Sequence, residues 1–251
     1  MLVAALVAVP AAVAQEVSFT DPTGDDNGPG NYTYPTDTVY KPGSFDITNF
    51  KLAQKGDKVD VTVGVNAALE DPWRMGTGFS VQMIFVFIDQ DHKEGSGFTK
   101  GLPGLNIEFA PEDAWDKVII LSPQGASRVK SEAKTKAGSM AAAVVVPARV
   151  KGSGRNISAT VPKAELGEGD PAQWGYQVVM QSNEGFPAGT DLLTRKVNEY
   201  EGQHRFGGGT DSDCDPHVMD VLGDNQKEML AYECGPDGAA TKAATLRMVR
   251  K

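Results

Sequence analysis

Alternation of apolar and polar side chains recurs along this chain and constrains its fold more than any other feature. In "KVDVTVGV", Val59, Val61, Val63 and Val65 fall on one face, with Asp60 and Thr62 on the other. A period of two is that of a strand lying half-buried on a sheet. In "FSVQMIFVFID", one face collects Phe79, Val81, Met83, Phe85 and Phe87. The other face opens polar at Ser80 and Gln82, then turns apolar at Ile84, Val86 and Ile88. That spacing predicts a long central strand whose second half is covered on both sides.

Further strands are expected in "FDITNFKLAQ", "DKVIILS", "MAAAVVVPARV", "NISATVP", "WGYQVVMQS" and "HVMDVLG". Turn-rich pieces such as "QKGDK", "KGSGR" and "GEGDP" separate them, and 28 glycines and 15 prolines supply such breaks throughout. Helical signals are sparse. "PKAEL" and "EDAW" predict single turns, and "TDLLTRKVNEYEGQ" reads as a helix or an irregular strand. The segments flanking "GSGR" alternate like the arms of a hairpin, so residues 15–251 read as one domain. The fold class expected is all-β, an antiparallel β-sandwich with few short helices.

The first 14 residues carry an apolar stretch from Leu2 to Val9 and the small-x-small pattern Ala12-Val13-Ala14. They read as a signal peptide without its basic start, and they are too short to span a bilayer. No later apolar run reaches spanning length. Export implies a secreted, periplasmic or cell-surface location. In that setting Cys214 and Cys234, which do not form C-x-x-C, are most simply a disulfide, with two free buried thiols as the alternative. The net charge of −9 argues against nucleic acid as a partner.

Three acidic loops are candidate metal sites. The first, "DPTGDDNGPG", offers Asp21, Asp25, Asp26 and Asn27. The second, "DQDHKEGSG", offers Asp89, Asp91 and Glu94, and the third, "DSDCDPH", offers Asp211, Asp213 and Asp215. Calcium takes six to eight oxygen ligands, and loops with closely spaced Asp and nearby Gly can supply them. Neither D-x-D loop is an EF-hand, because Glu94 and Pro216 stand where that loop needs Gly. Lys100 and Leu222 stand where it needs Glu. Solvated Asx-turns are the alternative reading of each loop, and the first loop is the one expected to hold calcium.

No H-E-x-x-H, G-x-S-x-G, P-loop or C-x-x-C sequence occurs, and His92, His204 and His217 are isolated, so an enzyme is not expected. Aromatic faces stacked on sugar rings are a usual means of holding carbohydrate. Tyr32, Tyr34, Trp73 and Trp115 lie near loops or strand ends and are the candidates for that role.

Several segments also occur in a familiar order: "DPTGDDNGPGNYTYPTD", "FDITNFKL", "DPW", "GFSVQ", "FIDQD", "LPGLNIEF", "WGYQVVMQSNEG" and "RFGGGTDSDCDPHVMDVL". From about Asp21 to Leu222 the chain resembles the C-terminal DOMON-like module of glucodextranase, which is also found in amylopullulanase-type and surface-layer-associated bacterial proteins. The resemblance implies a jelly-roll or immunoglobulin-like sandwich and a non-catalytic module that holds polysaccharide or the cell envelope. Asp21, Asp25, Asp26, Asp89 and Asp91 match the family's acidic positions. The chain departs from the family in lacking a catalytic domain and in carrying the cysteine pair. Two alternatives stay open: a structural subunit that packs against other surface proteins, and a haem-binding redox domain using Met83 or Met180.

Overall fold

A computed structural model describes residues 15–184, 189–210 and 214–251. Its centre is two five-stranded sheets. The first is antiparallel throughout, in the order β1 (Gln15–Thr20), β2 (Ile47–Lys55), β3 (Lys58–Val65), β9 (Asn156–Pro162), β8 (Val150–Ser153). The second runs β11 (Asp220–Val221), β10 (Gly175–Ser182), β4 (Gln82–Asp89), β6 (Lys117–Leu121), β7 (Val144–Val145), with only the last pair parallel. The fold is all-β with few short helices, as the alternation requires. "GSGR" is the turn of the β8–β9 hairpin.

The second sheet is a middle layer. On β4, Ile84, Val86 and Ile88 face the first sheet, together with Val59, Val61 and Val63 of β3. Met83, Phe85 and Phe87 point the other way, into a second core with Val118 and Ile120 of β6. Every residue of β4 and of β10 is buried; in the second half of β4 this is the double-sided burial that the apolar run predicts. Each fully buried side chain of this size contributes about 1.5–3 kcal/mol. One part of the expected pattern changes. Phe79 and Val81 join the first core while Met83 joins the second, so the single face through Phe79 to Phe87 breaks just before β4 begins.

The second core is closed by helix α1 (Ala126–Lys136), by a parallel pair, β5 (Ile107–Phe109) with β14 (Ala244–Leu246), and by irregular chain. Helix α1 was not expected from the sequence; only Val129 and Ala133 of its eleven residues are buried. "MAAAVVVPARV" is not one strand, since residues 138–143 form a 3-10 helix, Val144–Val145 pair with β6, and Val150 opens β8 in the other sheet. "TDLLTRKVNEYEGQ" is neither helix nor strand where described. Its backbone is held by scattered bonds: the N–H groups of Leu192 and Asn198 donate to the carbonyls of Pro103 and Phe206, and the buried amide of Gln181 donates to the carbonyl of Arg195 as well as to that of His217. Gln177 does the same for Leu222 and Arg247. A small hairpin, β12 (Glu233–Cys234) with β13 (Ala240–Lys242), lies beyond two single-turn helices, α2 (Lys163–Leu166) and α3 (Gln226–Met229). Cys234 is bonded to Cys214 with the Cα atoms 5.9 Å apart, within the usual range for a disulfide.

Candidate functional site

The loop "DPTGDDNGPG" leaves β1 and folds across the end of the second sheet. Gly28 donates its N–H to the carbonyl of Met219 at 2.8 Å, and Gln226 donates its amide to the carbonyls of Asp25 and Gly28. Gly28 must be glycine. Its φ is +60°, and a Cβ there would lie 2.2 Å from the ring of Tyr32. This docking carries Asp21 and Asp25 to Asp220 of β11, where one carboxylate oxygen from each lies within 4.8 Å of the others.

Each of these carboxylates has a buried oxygen without a hydrogen-bond partner: Oδ2 of Asp21, Oδ1 of Asp25 and Oδ1 of Asp220. Asp46, just before β2, also has an unpartnered buried Oδ1. Its other oxygen accepts from the Gly24 N–H at 2.7 Å and from Asn66 at 3.0 Å. Among the described residues no Lys or Arg forms an ion pair with any of the four. Burial, reinforced by the neighbouring acids, pushes the Asp21 carboxyl up to about 8. Burial likewise raises Asp25, and it raises Asp220 well above the ordinary carboxylate range. Buried carboxylates held together without a cation are expensive unless they are protonated or coordinate one. Hard oxygen donors of this kind suit a divalent cation such as calcium.

The other residues predicted for the first loop take supporting parts. Asp26 accepts from the hydroxyl of Tyr34, which itself accepts from the Phe45 N–H at 3.2 Å. The carbonyl of Asn27 receives the N–H groups of Gly30 and Tyr32, each at 3.0 Å, while its side chain is exposed. Asp220 and Asp46 were missed by sequence reasoning. The available signal was a single carboxylate flanked by apolar residues in each of two strand patterns, "HVMDVLG" and "SFDITNF".

The second acidic loop has its own cation. Asp89 is buried, and its Oδ2 accepts from the guanidinium of Arg250, which also reaches Asp113 at 3.1 Å. Asp89 Oδ1 accepts from the N–H groups of Asp91 and His92. Asp91 is exposed and caps Lys93 and Ser96. Asp89 and Asp91 do lie together with Asp116, but Glu94 is exposed and outside this group. In the third loop, Asp211 and Asp213 lie outside the described residues. Asp215 is buried, with Oδ1 accepting from Thr210 Oγ1 at 2.8 Å.

Of the four aromatic candidates, Trp115 is wholly buried in the second core, with its indole N–H donated to the Lys100 carbonyl at 2.9 Å. Tyr32 is buried and donates its hydroxyl to the Pro216 carbonyl at 2.6 Å. Tyr34 packs edge-on against Phe45 and Phe206. Trp73 is half-buried, edge-on to His204. Among the described residues the only large hydrophobic side chain that is well exposed is Tyr200. Met83 and Met180 face opposite sides of the middle sheet, in different cores. Among the described residues no helix is long and apolar enough to cross a membrane.

A search among curated proteins finds no match. A comparison with protein families matches residues 17–249 to the C-terminal, SLH-like binding module of glucodextranase. That family consists of binding modules rather than catalytic domains. The match covers both sheets, the acidic cage and the disulfide, and the chain belongs to this family of glucodextranase C-terminal binding modules.

Proposed function

We propose that this chain is an exported, non-catalytic module that holds carbohydrate of the cell envelope, with calcium seated between Asp21, Asp25 and Asp220. The observation that carries the metal is the set of buried carboxylate oxygens that have, among the described residues, neither a hydrogen-bond partner nor a paired cation. Bound calcium would supply the missing positive charge and fix the first loop against β11. The binding role is supported by the family, whose description names a binding module of a glucan-degrading enzyme and likens it to surface-layer modules. Export is supported by the disulfide, which persists in oxidising compartments.

The test is co-sedimentation of the purified chain with insoluble bacterial cell-wall polysaccharide, in calcium and in chelator. Retention in calcium that weakens in chelator is the expected result. No retention in either condition would sink the binding role. Absence of any heat in a calorimetric calcium titration of metal-free protein would sink the cage as a calcium site.

A further inference from the structure

The acidic sequence hides a basic face. Between Lys117 and Lys163 stand nine lysines and arginines and a single carboxylate, Glu132, whereas the rest of the chain has 15 basic residues against 32 acidic ones. This segment folds as β6, α1, β7 and the β8–β9 hairpin, and four of its charges, Lys130, Lys134, Arg149 and Lys151, line adjoining depressions of the surface. Arg128, Lys130, Lys134, Arg149 and Lys151 are all exposed. Among the described residues none of them is ion-paired; the one nearby pair is Lys136 with Glu132 at 2.7 Å.

The shape under these charges is continuous. A recess of about 590 Å³ lies between the start of α1 and the β7–β8 connection, lined by Ser122, Gln124, Ala126, Arg149 and Lys151. Its floor is two backbones in contact. A Cβ on Gly78 would lie 2.4 Å from the carbonyl oxygen of Gly152, so no side chain obstructs it. The recess shares Val146 with a second depression beside Lys130 and Lys134. It shares Arg149 and Lys151 with a third one along Thr62, Ser158 and Thr160. Carboxylates stand only at the two far ends, Glu165 and Asp60, and Asp60 is already held by Lys55 and Thr160.

The start of α1 adds to the same potential. The Gly125 cap makes no side-chain hydrogen bond and the first turn has no acidic residue, so the positive end of the helix meets the recess unopposed. An extended groove lined by basic groups and hydroxyls, without an exposed aromatic platform, is complementary to a charged polymer rather than to a neutral sugar that needs stacking.

We infer that this face binds an anionic glycan polymer, one whose repeating units bear carboxylate or phosphate. The inference rests on the module reading above and names the chemical class of its ligand. Arg149 and Lys151 hold the anionic groups, Lys130 and Lys134 extend the track along α1, and Ser122 and Gln124 meet sugar hydroxyls.

The test is calorimetric titration of the full chain, disulfide intact and at fixed calcium, with four polymers: polygalacturonate, polyglycerol phosphate, dextran and duplex DNA. The expected result is binding to one anionic glycan that weakens about tenfold or more from low to physiological salt. Polygalacturonate and polyglycerol phosphate distinguish carboxylate from phosphate. The double variants Arg149→Glu/Lys151→Glu and Lys130→Glu/Lys134→Glu, at unchanged melting temperature, each lose about tenfold in affinity. Lys242→Glu, outside this face, does not.

Charge-reversal variants that bind as the parent does overturn the inference. So does dextran binding as tightly as the charged glycans, which leaves the module reading standing. DNA binding as tightly as the best glycan overturns it too, because charge alone then explains the affinity. Binding to none of the four polymers also overturns it, and the cell-wall sedimentation decides the module reading separately.

Discussion

The backbone N–H of Ile47 on β2 donates to Asp220 Oδ2 on β11 at 2.5 Å, so one carboxylate joins the two facing sheets. Asp21 behaves likewise, with Oδ1 accepting from the Gly223 N–H at 2.5 Å. Each acid spends one oxygen on the fold and leaves the other for the cage. Asp220→Asn keeps an acceptor for Ile47 but removes a charge. In chelator this variant is therefore at least as stable as the parent, and in calcium it loses the rise in melting temperature. At 100 times its dissociation constant, calcium should stabilise the parent by about 2.7 kcal/mol. Asp220→Ala also strands the Ile47 N–H and is less stable in both conditions, by about 1–3 kcal/mol. Paired thermal melts of the three proteins check this. A full calcium response in Asp220→Asn would remove Asp220 from the ligand set.

The cage also sets an unusual pH dependence. Burial raises Asp21 from 3.8 to about 8, and Asp25 and Asp220 move the same way. Across that window the folded chain binds more protons than the unfolded one, so this contribution is greatest at the acid end. Metal-free protein should lose stability as pH rises through the window, the reverse of ordinary acid denaturation. Calcium should flatten or invert the slope, because the ion takes the place of the protons. Urea unfolding in chelator at a series of pH values measures it. Stability that rises with pH in metal-free protein contradicts the cage.

Much of this was legible in the sequence, and the remainder was hidden for physical reasons. Alternation showed β3 and the double burial of β4, because side-chain period reports directly on which faces are covered. The first acidic loop could be seen as a candidate, but its completion could not. Asp220 lies nearly two hundred residues away, and only pairing of β11 with β10 brings it there. Helix α1 escaped because its buried stripe is only Val129 and Ala133, too thin for a helical period to stand out. "TDLLTRKVNEYEGQ" resisted assignment because its backbone pairs with a side-chain amide and with scattered loop carbonyls in place of a ladder partner.

Arg250 stands in the second cluster where a metal would otherwise be needed. It pairs with Asp89 and Asp113, both buried. Arg250→Met leaves buried Asp89 without its guanidinium and Asp113 with only Arg247 at 4.0 Å, and should cost about 3–5 kcal/mol. Adding Asp89→Asn to that variant should restore part of the loss. Denaturant unfolding of the two variants decides it. A loss below about 1 kcal/mol for Arg250→Met would assign the pair to the weak, solvent-screened class.

The Cys214–Cys234 bond closes a loop of 20 residues. Replacing both cysteines by serine should lower stability by about 3 kcal/mol in the chain-entropy picture. The same loss should follow reduction of the parent protein. Unchanged midpoints on reduction would mean that the segment from Cys214 to Cys234 is held as firmly by packing alone.

The parallel strand β14 has a consequence for how the chain is made. Its residues close the second core beside β5, Val249 exchanges backbone hydrogen bonds with Tyr176, and Arg250 covers Asp89. A chain emerging from the ribosome amino end first therefore holds β4 and β10 incompletely covered until residues 244–250 arrive. Residues 244–250 must be present before the second core is sealed, so folding of the sandwich waits for them. For the export proposed above, such late closure lets the chain be threaded through a translocation channel while still unfolded and close its cores on the far side.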